Sequence, residues 1–141
     1  MMHFKNRILL ALILIYSAIQ TLAAQDSSAV KKPTGKSKIQ YGIASFYSNK
    51  FNGRKTASGE IFSQQKLTAA HNSLPLGTYV RVTNLRNKRT VIVKINDRLN
   101  ARNKRLIDLT KVAAQRLGFV KSGLVRVKLE VLGKKPPSSV K

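Results

Sequence analysis

The sequence predicts a mainly β domain, a small closed barrel carrying one short helix. Three observations predict it. Period-two hydrophobicity recurs between Tyr79 and Val131, one stretch of helical spacing stands at 111–117, and the 141 residues include no cysteine. Without disulfides the domain must close a real apolar core. Several short strands do so most simply as a barrel, because closure also leaves no unpaired edge.

The elements follow in chain order. His3, Lys5 and Arg7 precede an apolar run from Ile8 to Ile19 and the small residues Ala23 and Ala24, the pattern of a secretory signal peptide over 1–24. Tyr16, Ser17 and Gln20 interrupt that run well short of the roughly 20 apolar residues of a membrane span. The protein is therefore expected to be exported, to the periplasm or beyond. With no cysteine to carry a lipid, no stable membrane anchor is expected after cleavage. Residues 25–38 are polar and basic and read as a flexible linker, and 133–141 read as a disordered tail. No internal repeat is present.

Between them, 39–132 mixes β-branched and aromatic residues with turn formers. Tyr79 to Leu85 reads as a strand, Arg86-Asn87-Lys88-Arg89 as a hairpin turn, and Thr90 to Asp97 as the returning strand. Alternation puts Val91, Val93, Ile95 and Asp97 on the inward face, with Ile92, Lys94 and Asn96 outward. Asp97 thus closes an apolar row, where desolvation favours its neutral form and Arg98 favours the anion. Val125, Val127, Leu129 and Val131 alternate with Arg126, Lys128 and Glu130 in a further strand. The helix is expected from Lys111 to Leu117, capped by Thr110 or Asp108 and ended by Gly118.

Charge narrows the partners. With 27 Lys and Arg against 5 Asp and Glu, the formal charge is +22, which calls for an anionic partner. Nucleic acid, acidic lipid and wall polymer all qualify on charge. Export favours wall polymer, and no nucleic acid is expected, since clustered exposed aromatics are also absent. His71 is the only histidine beyond the leader, so no thiolate or imidazole cage for a metal can form, and no phosphate-cradling glycine loop or Ser-His-Asp spacing marks a cofactor or a triad.

Against so basic a background, carboxylates stand out as functional candidates. Glu60, Asp97 and Asp108 all lie in polar, glycine- or arginine-flanked segments. Glu60 follows an aperiodic stretch from Ser48 to Gly59 whose length marks it as functional. A carboxylate directly before a helix ordinarily caps its free amides, so Asp108 is assigned a structural role. Tyr47 and Phe51 are aromatic candidates for stacking on a ligand or for the core.

The segments Gly42-Ile43-Ala44-Ser45-Phe46-Tyr47, Lys50 to Glu60, Leu67-Thr68-Ala69-Ala70-His71, Leu74-Pro75-Leu76-Gly77-Thr78, Val80 to Asn84, Asn96-Asp97-Arg98 and Ile107-Asp108-Leu109 occur in this order. In them the chain resembles the rare lipoprotein A type of double-psi β-barrel, related to the barrels of expansins and of certain cell-wall lytic enzymes. The resemblance covers 39–132 and implies six strands in a double-psi barrel. It also implies, without any cofactor, a lytic transglycosylase that cleaves between N-acetylmuramic acid and N-acetylglucosamine of peptidoglycan strands and leaves a 1,6-anhydro end. That chemistry needs one proton given to the leaving oxygen and one taken from the C6 hydroxyl, work suited to carboxylates.

By resemblance Asp97 is the catalytic acid/base, Glu60 the assisting acid and His71 a cleft residue that binds substrate. Asn52, Thr56, Ser58 and Arg98, with Tyr47, are candidate substrate contacts. Two departures stand out. The family's short Gly-Pro turn after Asn-Asp-Arg is replaced by Leu99-Asn100-Ala101-Arg102-Asn103-Lys104, which predicts a wider turn beside Asp97, and Ser58 replaces a commoner Asn. The alternative reading is a non-catalytic, expansin-like glycan-binding barrel.

Overall fold

The computed structural model describes residues 38–138. The expected leader, nearly all of the linker and residues 139–141 lie outside them. The described chain forms β1 (Ile39–Phe46), a 3-10 turn (Asn49–Phe51), β2 (Thr68–His71), β3 (Tyr79–Asn84), β4 (Thr90–Asp97), β5 (Ile107–Leu109), α1 (Lys111–Leu117) and β6 (Val125–Gly133). The six strands close into a barrel in the order β1-β5-β2-β4-β3-β6.

The expected hairpin is present, with Thr83 opposite Thr90 and Tyr79 opposite Lys94. Strand β6 then pairs antiparallel with both β3 and β1, which seals the wall. The other half holds two parallel pairings, β1 with β5 and β2 with β4. Parallel neighbours need long connections, which here are residues 47–106 between β1 and β5 and residues 72–89, through β3, between β2 and β4. Strands β2 and β5 are four and three residues long and buried at every position, so no alternation announces them.

Inward rows from every wall meet in one core. Ala44, Val80, Val82, Val93, Ile95, Ile107, Leu109, Val127 and Leu129 are all at most 1% exposed, and α1 adds Ala113, Ala114 and Leu117 with Phe119 behind it. Each fully buried aliphatic side chain contributes about 1.5–3 kcal/mol before chain entropy is charged. Gly42 is required by packing: a Cβ there would lie 2.7 Å from Cβ of Leu106. That close approach lets Leu106 N donate to Ile43 O at 2.8 Å and start the β1–β5 pairing.

The helix occupies the expected residues and ends at Gly118 in the left-handed conformation, φ 74°. Its cap differs from expectation. Thr110 does hold the N-cap position, but its side chain caps no amide: Thr110 Oγ1 donates to Lys66 O, and Asp108 is taken by Arg105. Gln64, from the long loop, accepts from Lys111 N through Oε1 at 2.8 Å instead.

A second correction concerns strand β4. Ala69 pairs with Ile95 but Ala70 with Asp97, so Asn96 is an extra residue, a β-bulge. The bulge breaks the alternation. Asn96, expected outward, is buried at 3%, and Asp97, expected at the end of the sealed row, is only half-buried. The bulge thereby turns Asp97 out of the core toward solvent.

Candidate active site

Four segments that are distant in sequence meet at the end of β4. The 47–67 loop folds over it: Ser58 N donates to Asn96 O, and the loop is pinned at its base by Gly53 N to Phe62 O and Phe62 N to Arg54 O. Phe62 is buried and packs its ring 4.5 Å from that of Tyr47, and Phe51 lies edge-on to Tyr47 at 5.7 Å. The expected functional loop is therefore ordered by its own aromatic cluster.

Asp97 sits at the focus. Its Oδ2 accepts from the Tyr47 hydroxyl at 2.7 Å, and its Oδ1 from Ala57 N at 3.0 Å and Arg98 N at 2.9 Å. Three donors from three segments hold one carboxylate in a single orientation. Burial, and then the Asp97 hydrogen bond, push the Tyr47 phenol far above its ordinary value, so that it remains a donor.

Beside Asp97 opens a cavity of about 330 Å³ whose lining includes Tyr47, Phe51, Arg98, Asn100, Asn103 and Asp108. Asp108 is the second carboxylate of this cavity. Arg105 grips it bidentately, Nε to Oδ1 at 2.7 Å and Nη2 to Oδ2 at 2.8 Å, and the pair raises the Arg105 pKa. The unusual 99–104 turn forms one wall. Asn100 Oδ1 accepts from Arg102 N and Asn103 Oδ1 from Arg105 N, so two side-chain turns replace the glycine and proline, and the wider loop borders the cavity without filling it.

The structure places the other candidates outside this cavity or makes them its supports. Glu60 is tied to β4 by Lys94 Nζ at 2.6 Å and Asn96 Nδ2 at 3.1 Å. The Lys94 ammonium first, then the Asn96 amide, hold its carboxyl below the ordinary value. It reaches Asp97 through the neighbouring Asn96, not through the cavity. Thr56 and Ser58 brace the same turn: Thr56 Oγ1 donates to Glu60 O, and Ser58 Oγ accepts from Glu60 N.

His71 is a correction to the expected cleft residue. It is 1% exposed, with Nδ1 accepting from Ser73 N and Leu74 N, both at 3.1 Å. The proton therefore resides on Nε2, which donates to Gln40 Oε1 at 3.0 Å. Burial first, then the Arg98 charge, lower its pKa, and the ring is a neutral structural knot. Arg98 also works inward, its Nη1 donating to Leu74 O at 2.7 Å. Asn52 spends Oδ1 on Gln64 N and lies by a separate polar cavity with Asn49, Gln65, Lys111 and Gln115.

Sequence reasoning missed Gln64, Asn100 and Asn103. Gln64 is 4% exposed and joins the loop to the barrel, donating to Tyr47 O at 2.8 Å and to Asn49 Oδ1 at 3.2 Å while it caps α1. No local pattern marks such a residue. The asparagines did carry a signal, since Asn two positions before a turn amide is a common turn device.

A model of the lytic transglycolase family matches residues 39–129. The chain belongs to this family. It is 56% identical over 91 residues to the endolytic peptidoglycan transglycosylase RlpA of Pasteurella multocida, covering 64% of this chain and 31% of that protein. Against the protein of the same name from Neisseria meningitidis serogroup A it is 47% identical over 106 residues, 72% of this chain and 44% of the relative. The chain thus spans about a third to under a half of the length of these relatives. Among solved structures, a Streptomyces papain inhibitor matches with a TM-score of 0.55 at 20% identity, covering 67% of this chain and 94% of the inhibitor. A Clavibacter michiganensis expansin mutant in complex with cellohexaose matches with a TM-score of 0.56 at 18% identity, covering 71% and 53%. At such identities these two show the fold that this family member shares.

Proposed function

We propose that this protein is an exported lytic transglycosylase that cleaves the bond between N-acetylmuramic acid and N-acetylglucosamine in peptidoglycan strands and leaves 1,6-anhydro ends. The observation that carries the reading is Asp97, oriented by three donors at the edge of an open cavity, in a chain about half identical to relatives named endolytic peptidoglycan transglycosylases. In the reaction the bond from C1 to the leaving oxygen breaks, and the C6 hydroxyl oxygen closes on C1. One proton moves from that hydroxyl to the leaving oxygen, and no water is consumed. Asp97 is the proton carrier, taking the proton from the hydroxyl and passing it to the leaving oxygen. Tyr47 OH, bound to Oδ2, fixes which oxygen faces the sugar.

Glu60 assists by position: anionic and paired to Lys94, it clamps Asn96 and so sets the bulge that aims Asp97. The Tyr47 and Phe51 rings supply apolar surface for a sugar face in the cavity. Peptidoglycan glycan strands are the substrate partner, and the surplus of cations holds the enzyme on other anionic wall polymers. The domain arrangement in this reading is a cleaved leader, a basic linker and a barrel over 39–132, with delivery to the periplasm or wall.

The test is incubation of the protein with intact sacculi and with peptide-stripped glycan strands, read by mass spectrometry for anhydromuramoyl products. Products that disappear in Asp97→Asn support the proposal, and products unaffected by that change overturn it. A second reading, glycan binding without turnover, is favoured by the fold shared with an expansin whose solved complex contains cellohexaose. Retention on sacculi without any anhydro product selects it.

A further inference from the structure

The end of the barrel away from Asp97 carries a concentrated and rigid positive charge. Strand β4 runs from Thr90 to Asp97, so its two ends stand roughly 23 Å apart at about 3.3 Å per residue. At the Thr90 end the β3–β4 turn displays Arg86, Lys88 and Arg89, all exposed. Arg126 is exposed beside it, its carbonyl bonded to Leu85 N, and Arg116 is exposed on the last turn of α1. None of these five cations forms an ion pair among the described residues. The four described carboxylates are all occupied elsewhere: Glu60 by Lys94, Asp108 by Arg105, Glu130 by Arg81 and Lys128, and Asp97 by its three donors.

The turn is also locked in place. Asn84 and Asn87 each donate through Nδ2 to Leu117 O at 2.9 Å, and their Oδ1 atoms accept from Arg86 N and Arg89 N. Lys88 N donates to Asn84 O, and Lys88 holds a left-handed φ of 64°, a conformation a non-glycine residue rarely adopts. Gly118 makes room for the assembly, since a Cβ there would meet Arg89 Nη1 and Asn87 Nδ2, each at 3.0 Å. Like charges would separate if the backbone allowed it. Here the bonds of buried Asn84 and exposed Asn87 hold them together without a neutralising acid, and that electrostatic cost calls for an external anion.

We propose that this turn is a second binding surface, separate from the Asp97 cavity, for a linear phosphate-bearing polyanion. Four of the five cations are arginine, whose planar fork matches phosphate oxygens in pairs. The turn residues 86–90 include no apolar side chain to enter a lipid layer, and a flexible polymer can wrap a convex turn. Holding polymer at one end of the barrel leaves the cavity at the other end open. The proposal does not depend on the transglycosylase reading.

The test is binding of the full chain to soluble long-chain polyphosphate by fluorescence anisotropy over a range of salt concentrations. The variant Arg86→Gln/Lys88→Asn/Arg89→Gln is compared with Lys55→Gln/Lys134→Gln/Lys135→Gln, which removes equal charge elsewhere. The turn variant is expected to bind about tenfold or more weakly, with its salt slope smaller by about 2, from roughly 0.7 per lost phosphate contact, while the control loses under about threefold. Equal losses in the two variants would show simple net-charge attraction and overturn the proposal. So would turn-dependent binding to phosphatidylglycerol vesicles with none to polyphosphate. If the turn variant does not fold, Arg116→Gln/Arg126→Gln decides: a loss of about fivefold supports the surface, and unchanged affinity refutes it.

Discussion

Tyr47→Phe removes one oxygen from the centre of the site and leaves the ring contacts with Phe62 and Phe51 in place. What is lost is the 2.7 Å hydrogen bond to Asp97 Oδ2. A hydrogen bond to a charged group contributes about 1.5–3 kcal/mol, and the half-exposed setting of Asp97 reduces that to about 1–2 kcal/mol. For a domain of this size that is a fall in Tm of roughly 4–16 °C. Loss of the bond also frees the carboxylate to rotate, so turnover of glycan strands should fall more than affinity for them. The clean assay is a double-mutant cycle with Asp97→Ala, which removes the acceptor that Asn would keep, followed by denaturant unfolding. If the bond is as described, the two substitutions are coupled by about 1 kcal/mol or more. Strict additivity would mean that Tyr47 and Asp97 do not share this bond in solution, and the orientation argument for Asp97 would fall with it.

Other outcomes follow from the same geometry. His71 is held neutral with a lowered pKa, so the unfolded chain binds more protons than the folded one below its unfolded value of about 6.5; stability is full above that pH and falls as pH drops through it, and thermal melts of His71→Gln at pH 7 and pH 5 should show a smaller loss than the wild type. Gln64→Ala leaves Lys111 N and Tyr47 O unpaired inside the protein and should cost about 2–4 kcal/mol in urea unfolding, more than a surface glutamine could. Glu60→Gln breaks an ion pair whose acid side chain is 39% exposed, so its stability cost should stay under about 1 kcal/mol and shrink further in high salt, while anhydro product formation drops if the clamp on Asn96 aims Asp97. The lowered Glu60 pKa puts that contribution at neutral pH and removes it as pH falls through the folded-state value.

The helix, the β3–β4 hairpin and the β6 alternation were legible because each rests on a local period or a turn signal within a few residues. Lys111–Leu117 and Gly118 match the expected helix and its left-handed end. Strands β2 and β5 were not legible one by one: their residues are uniformly buried and obtain partners only from strands far along the chain. In the site, Asp97 and Tyr47 are both candidates on sequence alone, but their contact is not legible there, since 50 positions separate them. His71 is a cleft residue by family resemblance alone, and only the folding of 73–74 back onto Nδ1 shows it to be internal.

Local sequence determined the class of fold, the basic character, the scarcity of acids and the family motifs, since all of these are properties of neighbouring residues or of their sum. Tertiary structure decided which acids share a cavity. The bulge at Asn96 and the parallel pairing of β1 with β5 set Asp97 and Asp108 at one cavity and leave Glu60 behind Asn96. Register and closure are set by contacts across the whole barrel, and a strand shifted by one residue would expose a different face. No short stretch of the chain carries that information.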